Sequence, residues 1–179
     1  DILVYAPGED SLQKRVKPDL DFSDRDYAEL MKGLYRHLPN INKPGIIYPI
    51  ISWMFLLPFK SRIMELKDAF PILLIFGEQG SGKTSTEELM LELYGFQDHS
   101  VTSCRITQFA MLSLLSSTNC IPVVLDEFRA SDMRSHQVDF IKDRIRLAYK
   151  ESLDSRGKAD LTVRNYKMRA PLVLSGEHK

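Results

Sequence analysis

A glycine-rich turn between an apolar run and a helix-forming segment constrains the fold more than any other feature of the sequence. The apolar run Ile72–Phe76 leads directly into GEQGSGKT at 77–84, which matches the phosphate-binding pattern G-x-x-x-x-G-K-[ST]. The run is typical of a buried strand, and the residues after the pattern favour a helix. This order predicts an α/β fold that binds a phosphate at the helix N-terminus, with a chance match in a Gly/Ser-rich turn as the alternative.

Each position of the turn has a physical reason. The glycines allow backbone conformations that a Cβ disfavours, so that successive N–H groups can point at one anion. Lys83 adds a positive charge for the β- and γ-phosphates of a nucleotide, and the Thr84 hydroxyl can bind Mg²⁺. The predicted nucleotide-binding residues are Gly77, Glu78, Gln79, Gly80, Ser81, Gly82, Lys83, Thr84 and Ser85.

A second motif follows the next strongly apolar run, Ile121–Leu125, which is rich in β-branched residues and predicts a strand buried in a parallel sheet. The run ends in Asp126 and Glu127. An acid at the tip of such a strand is expected near Thr84, so we assign Asp126 to the metal and Glu127 to the attacking water. An acidic pair at a helix N-terminus or in a solvated turn is the alternative.

The third motif is the apolar run Pro171–Leu174, which ends in Ser175-Gly176-Glu177. A polar side chain at this tip is expected between the Asp126 strand and the strand before the glycine-rich turn. From there Ser175 could reach the attacking water or the γ-phosphate.

A basic segment precedes this run. Six basic and three acidic residues lie between Lys150 and Arg169, with Tyr166 among them. A hairpin that faces a nucleic acid and a hairpin whose charges are merely solvated both explain this excess.

The remaining pattern predicts a helical N-terminal portion and alternating helices and strands. Ser23 is the expected N-cap of the first helix, and Trp53 is expected in the core. The predicted helices are Asp21–Leu38, Ile46–Phe59, Thr84–Tyr94, Thr107–Ser117 and Ser131–Ser152; the predicted strands are His99–Cys104, Leu161–Met168 and Ala170–Leu174, with Ser155–Lys158 as a loop.

Composition sets the wider expectations. The chain has 179 residues, 44% of them apolar, and 24 acidic residues balance 24 basic ones, so net charge selects no partner. Cys104 and Cys120 lack metal-ligand spacing and are expected to be reduced thiols of a cytoplasmic protein. The apolar Ile46–Phe59 is short for a membrane span and contains two prolines, so no membrane is expected.

The three motifs together resemble those of AAA+ type P-loop ATPases, and more narrowly those of superfamily 3 helicases and of phage and plasmid primase–helicase proteins. The resemblance covers Ile46–Glu177 and depends on GEQGSGKTS at 77–85, VVLDEF at 123–128 and RAPLVLSGE at 169–177. It implies a mostly parallel sheet flanked by helices and an ATPase core at 69–179 that is truncated at its C-terminus. The residue pattern before this core predicts the tail of a preceding region or a linker at 1–20 and a helical portion at 21–68.

The same resemblance implies a function. ATP and Mg²⁺ are the implied cofactors, Lys83 and Glu127 the catalytic residues, Thr84 and Asp126 the metal ligands, and Ser175 a sensor where many relatives have Asn. ATP hydrolysis would drive movement along DNA in a homo-oligomeric, hexameric ring, with Lys158, Arg164 and Lys167 facing the DNA. An AAA+ protein remodeller, a small-molecule kinase and a nucleotide-gated binding module without turnover remain alternatives.

Overall fold

The computed structural model describes residues 23–96, 101–157 and 163–177. Within these residues three helices precede the first strand, and short 3₁₀ turns at Leu38–Asn40 and Leu57–Phe59 separate them. These helices are α1 (Asp24–His37), α2 (Pro44–Leu56) and α3 (Lys60–Lys67). The Ser23 hydroxyl accepts a hydrogen bond from the Asp26 N–H, which confirms the predicted N-cap.

Strands and helices then alternate. The remaining helices are α4 (Lys83–Leu93), α5 (Gln108–Ser116) and α6 (Ser135–Tyr149); the strands are β1 (Leu73–Phe76), β2 (Thr102–Ser103), β3 (Val123–Phe128), β4 (Leu153–Gly157), β5 (Val163–Lys167) and β6 (Leu172–Gly176).

The main sheet has four strands in the order β1-β6-β3-β2, and all its pairs are parallel. The predicted α/β class with a parallel sheet and flanking helices is therefore confirmed. The last described strand, β6, lies between β1 and β3, as expected for the strand that ends in Ser175. Since the carboxyl ends of parallel strands meet at one edge, the loops after β1, β3 and β6 converge there.

The hydrophobic core contains residues of the main sheet and of the helices that precede and follow β1 in the chain. All five residues of β6 are buried, as are Val123–Leu125 of β3, which explains why both strands read as continuous apolar runs. Trp53 of α2 is buried as predicted, and its indole N–H donates to the Pro71 carbonyl at 2.7 Å. This bond fixes α2 against the segment that enters β1.

Beyond the main sheet, β4 and β5 form an antiparallel pair. The predicted loop Ser155–Lys158 is wrong for residues 155–157, because Ser155 and Arg156 pair with Asn165 and Arg164 across this hairpin. Residues with weak strand propensity are held here by cross-strand hydrogen bonds rather than by their own preference.

The predicted start of the long helix is also wrong. Ser131 and Asp132 lie in a 3₁₀ turn, and α6 begins at Ser135 with Arg134 as its N-cap residue. The Ser131 hydroxyl donates to the Asp132 carboxylate instead of capping a backbone N–H. A local side-chain bond therefore competes with the predicted cap.

The helical run Pro44–Lys67 is longer than the apolar segment predicted from the sequence, because α3 continues it. Among the described residues it is the one helical run that passes a test of length and composition for crossing a membrane. Core helices of soluble proteins pass the same test, and here Ile47, Ile50, Trp53 and Leu57 pack into the core.

Candidate functional site at the carboxyl edge of the sheet

The loop of residues 77–82 leaves β1 at the carboxyl edge and runs directly into α4. Gly80 and Gly82 have φ values of +77° and +82°, which residues with a Cβ rarely adopt. Gly82 is the N-cap of α4 and supplies no capping side chain, so the N–H groups of the first turn remain available to a ligand. The sequence therefore places its glycines where the backbone requires them.

Lys83 is the first residue of α4, and its ammonium folds back over the loop. It donates to the carbonyls of Gly77 at 2.9 Å and Glu78 at 2.7 Å. Residues 78–82, Thr84 and Ser85 are exposed. An open, donor-rich loop with one cation above it can bind an anion such as a phosphate group.

The acidic pair lies on β3, two strands from this loop in the sheet. The pairing of β3 with β6 is interrupted between Leu125 and Phe128, and Glu127 has a φ of +64°. A glutamate in the left-handed region is uncommon and is a form of strain that concentrates at functional sites. The bulge and the strained backbone coincide at the two residues that the sequence singled out.

Hydrogen bonds position both acids. The Ser175 hydroxyl on β6 donates to Oδ1 of Asp126, and the Glu127 N–H donates to the same oxygen at 2.6 Å. The Ser103 hydroxyl on β2 donates to Oε2 of Glu127 at 3.0 Å. Asp126 is thus held by its neighbour in the sheet, and its Oδ2 carries neither of these bonds. Sequence analysis missed Ser103, whose role depends on the pairing of β2 with β3.

Gly176 allows the close approach of β6 and β3 beside these acids. A Cβ at position 176 would lie 2.0 Å from the Phe128 carbonyl oxygen, where no side chain fits. The Glu177 side chain follows and accepts a bond from Arg129 at 2.6 Å. Arg129 and Glu177 therefore close this end of the sheet with an ion pair.

Glu87 is the second residue of this site that the sequence did not reveal. It lies one helical turn after Lys83, is 0% exposed, and neither carboxylate oxygen has a good hydrogen-bond partner among the described residues. Burial raises the pKa of Glu87 to about 7; the nearby Ser175 hydroxyl and Lys83 oppose this rise, and the charge of Asp126 adds to it. The pKa of Glu87 thus depends on charged groups of both α4 and β3.

A carboxyl group with this pKa is neutral at mildly acidic pH, which removes most of the cost of burying it. The other buried residues of α4 are Thr86, Met90 and Leu91. The nearby Cys104 thiol is free and buried, and burial raises its pKa to about 12, so it stays protonated.

Lys167 is the one expected nucleic-acid residue whose side chain the structure describes, and it lies away from this site. Lys167 ends β5, with four residues between it and the start of β6, and is therefore near the amino edge of the main sheet. Its ammonium lies 3.2 Å from Glu151, which also pairs with the buried Lys60. Arg164 lies on β5, while its side chain and all of Lys158 fall outside the described residues. Tyr166 is buried and packs edge-on against Phe109, so it is unavailable for base stacking.

No cluster of three or more His, Cys, Asp or Glu side chains that could hold a metal exists in the described part of the chain. Thr84 and Asp126 supply a hydroxyl and a carboxylate, which are hard oxygen donors. Mg²⁺ in nucleotide sites is commonly held by one or two such protein groups together with phosphate and water. The donor set therefore fits Mg²⁺ bound with a nucleotide.

A cleft of about 300 Å³ lies between the segment that follows β2 and helix α6. Its lining includes Arg105, Thr107, His136 and Phe140. None of the predicted nucleotide-binding residues lines it. The open loop and this cleft are therefore separate features.

Replacing Glu87 tests its buried carboxyl. A carboxyl whose pKa rises from 4.5 to about 7 on folding contributes stability below pH 4.5 that is lost as pH rises through 7. Glu87→Gln removes this loss, so its free energy of unfolding should exceed that of the wild type by an amount that grows to roughly 3 kcal/mol by pH 8. Urea unfolding at pH 4.5–8 measures it, with the less buried Glu88→Gln as control. A difference in free energy of unfolding between the wild type and Glu87→Gln that stays constant with pH would contradict the raised pKa of Glu87.

Comparison with known proteins adds no family to this geometry. No family model, no curated protein and no solved structure matches the chain. The contacts at the carboxyl edge of the sheet are therefore the basis for assigning a function.

Proposed function

We propose that the chain is a P-loop ATPase whose turnover is coupled to movement along DNA. The observation that carries the nucleotide-binding part is the loop 77–82, with two glycines at positive φ and Lys83 at the first helical position. A strand, such a loop and a helix form a site for the phosphates of a nucleotide. ATP and Mg²⁺ are the proposed cofactors.

Hydrolysis is supported by the acidic pair at the same edge of the sheet as the loop. Asp126, held on one oxygen by Ser175 and by the Glu127 N–H, is the proposed ligand of Mg²⁺ together with Thr84. Bound Mg²⁺ would neutralise charge on the phosphates. Lys83 would exchange its two carbonyl partners for phosphate oxygens and stabilise the charge that develops in the transition state.

Glu127 is the proposed residue that orients the attacking water. The left-handed backbone of Glu127 and the hydrogen bond from Ser103 hold its carboxylate at the carboxyl edge of the sheet, where the loop 77–82 also begins. A carboxylate in this role accepts a proton from water while the phosphate is transferred. A binding module without turnover would not need a strained, positioned acid, so this arrangement favours an enzyme.

Coupling to DNA is supported by the connection between the hairpin and β6. Lys167 lies at the end of β5, and β6 runs from the amino edge to Ser175, which contacts Asp126. A five-residue strand spans only about 17 Å, so a shift of the hairpin is transmitted through one rigid element. The acids Glu151 and Asp154 are paired with Lys60, Lys167 and Arg144, which reduces negative charge around the hairpin. A protein remodeller on the same plan is the second candidate.

The variant Glu127→Gln tests the role in hydrolysis. It should leave the affinity for ATP within about twofold and lower the turnover rate by at least roughly a hundredfold, since the amide cannot take a proton. ATP binding by calorimetry and phosphate release are the two measurements. Glu92→Gln, an exposed glutamate on α4, is the control and should keep its activity. Turnover that survives in Glu127→Gln would rule out the water-orienting role.

The DNA proposal has its own test. Single-stranded DNA should stimulate ATP turnover, and neutralising Lys158, Arg164 and Lys167 to Gln should remove the stimulation while basal turnover persists. Weakened contacts to phosphates should also reduce the salt dependence of DNA binding. Lys142→Gln, an exposed lysine on α6, serves as the control. A wild-type ATP turnover rate that is the same with and without DNA would favour the protein remodeller.

A further inference from the structure

Helix α1 presents an apolar face that the described residues leave mostly exposed. Tyr27, Leu30, Met31, Leu34 and Tyr35 recur at helical spacing along one side of it. No residue of α1 is buried, and Tyr27 and Tyr35 are 58% and 87% exposed. Each aromatic side chain offers up to about 150–250 Å² of area for burial. A continuous exposed patch of this kind marks an interaction site.

The helix also needs a partner for its own stability. An isolated helix of 14 residues is marginal in water, because helices of this length gain most of their stability from packing an apolar face. The Ser23 cap and the exposed Arg25–Glu29 pair are single local contacts that contribute little to its stability. These local contacts are too small to replace the missing packing.

The charges of α1 indicate what packs on it. Asp24 and Asp26 lie in the first turn, and Arg36 and His37 lie in the last. An identical helix running in the opposite direction would place acidic turns beside basic ones and would also align the two helix dipoles favourably. This face is therefore complementary to itself.

We propose that α1 pairs antiparallel with α1 of a second copy of this chain across a two-fold axis. An axis between Leu30 and Met31 places Tyr27 opposite Leu34 of the second copy and Asp24 opposite His37 of the second copy. This contact is isologous and closes at two copies, so it differs from the head-to-tail contacts of a ring. It is also independent of the proposed ATPase activity.

Other occupants match this surface less well. A helix that lies on an anionic membrane or a nucleic acid carries an excess of Lys and Arg on its polar face. In α1 the acids Asp24, Asp26 and Glu29 balance the bases Arg25, Lys32 and Arg36. The formal net charge of the chain is +0, so no overall repulsion opposes the pairing of two copies.

Sedimentation velocity of the whole chain over a range of concentrations tests the pairing. The wild type should form a dimer, and Leu30→Asp should raise the dissociation constant by about tenfold or more. Leu66→Asp changes a leucine of α3 that is 63% exposed and should leave the dimer intact. Circular dichroism should show that Leu66→Asp keeps the wild-type spectrum and that Leu30→Asp loses no more helix signal than the 14 residues of α1 account for. A wild type that stays monomeric, or that co-sediments with anionic vesicles instead, would overturn the proposal.

Charge reversal tests the antiparallel arrangement. The double variant Asp24→Lys, Asp26→Lys leaves Glu29 as the one acid among the basic residues of α1, and Lys32→Glu, Arg36→Glu leaves Arg25 and His37 among its acidic residues. Like charges would then face each other across the axis, so each variant should lose self-association. An equimolar mixture should recover a dimer that contains one copy of each. Failure of the mixture to associate would contradict the proposal.

Discussion

The bond from Ser175 to Asp126 is the contact on which the arrangement of the carboxyl edge depends. Ser175 is fully buried on the strand between β1 and β3, so its hydroxyl needs a partner, and Asp126 supplies it. Gly176 admits the neighbouring carbonyl of Phe128, and the irregular pairing that follows turns Glu127 into the left-handed region. One buried hydroxyl and one missing Cβ thus set the positions of both acids.

The same strand ties this edge to the opposite one. Four residues separate β6 from the hairpin strand β5, and β6 ends beside the acids. At the amino edge Lys60, buried in α3, pairs with Glu151 and lies 5.6 Å above the ring of Phe70. Burial lowers the pKa of Lys60, and the hydrogen bond and charge of Glu151 oppose this shift. Because Glu151 lies just before β4, the ion pair links the hairpin to the helical portion. A direct path from the hairpin to the site is what the proposed coupling requires.

Sequence patterns predicted the parts of this structure that local chemistry decides. The glycines at positive φ, the Ser23 cap and the buried runs of β3 and β6 follow from backbone freedom, hydrogen bonding and hydrophobicity. What they missed depends on contacts distant in sequence: Arg144 of α6 is paired with Asp154 of β4, and Glu87 of α4 is buried although no apolar stripe indicates it. Hairpin β4–β5 likewise forms through cross-strand pairing rather than propensity.

Backbone hydrogen exchange with and without Mg²⁺ and ATP tests the central claim, that the loop before α4 binds phosphate through its N–H groups. The account predicts that nucleotide slows exchange at Lys83, Thr84 and Ser85 by about tenfold or more, because the unpaired first-turn donors become hydrogen-bonded. The Lys83→Ala variant should lose this protection. Unchanged exchange at these amides, or protection confined to the cleft at Arg105 and His136, would contradict it.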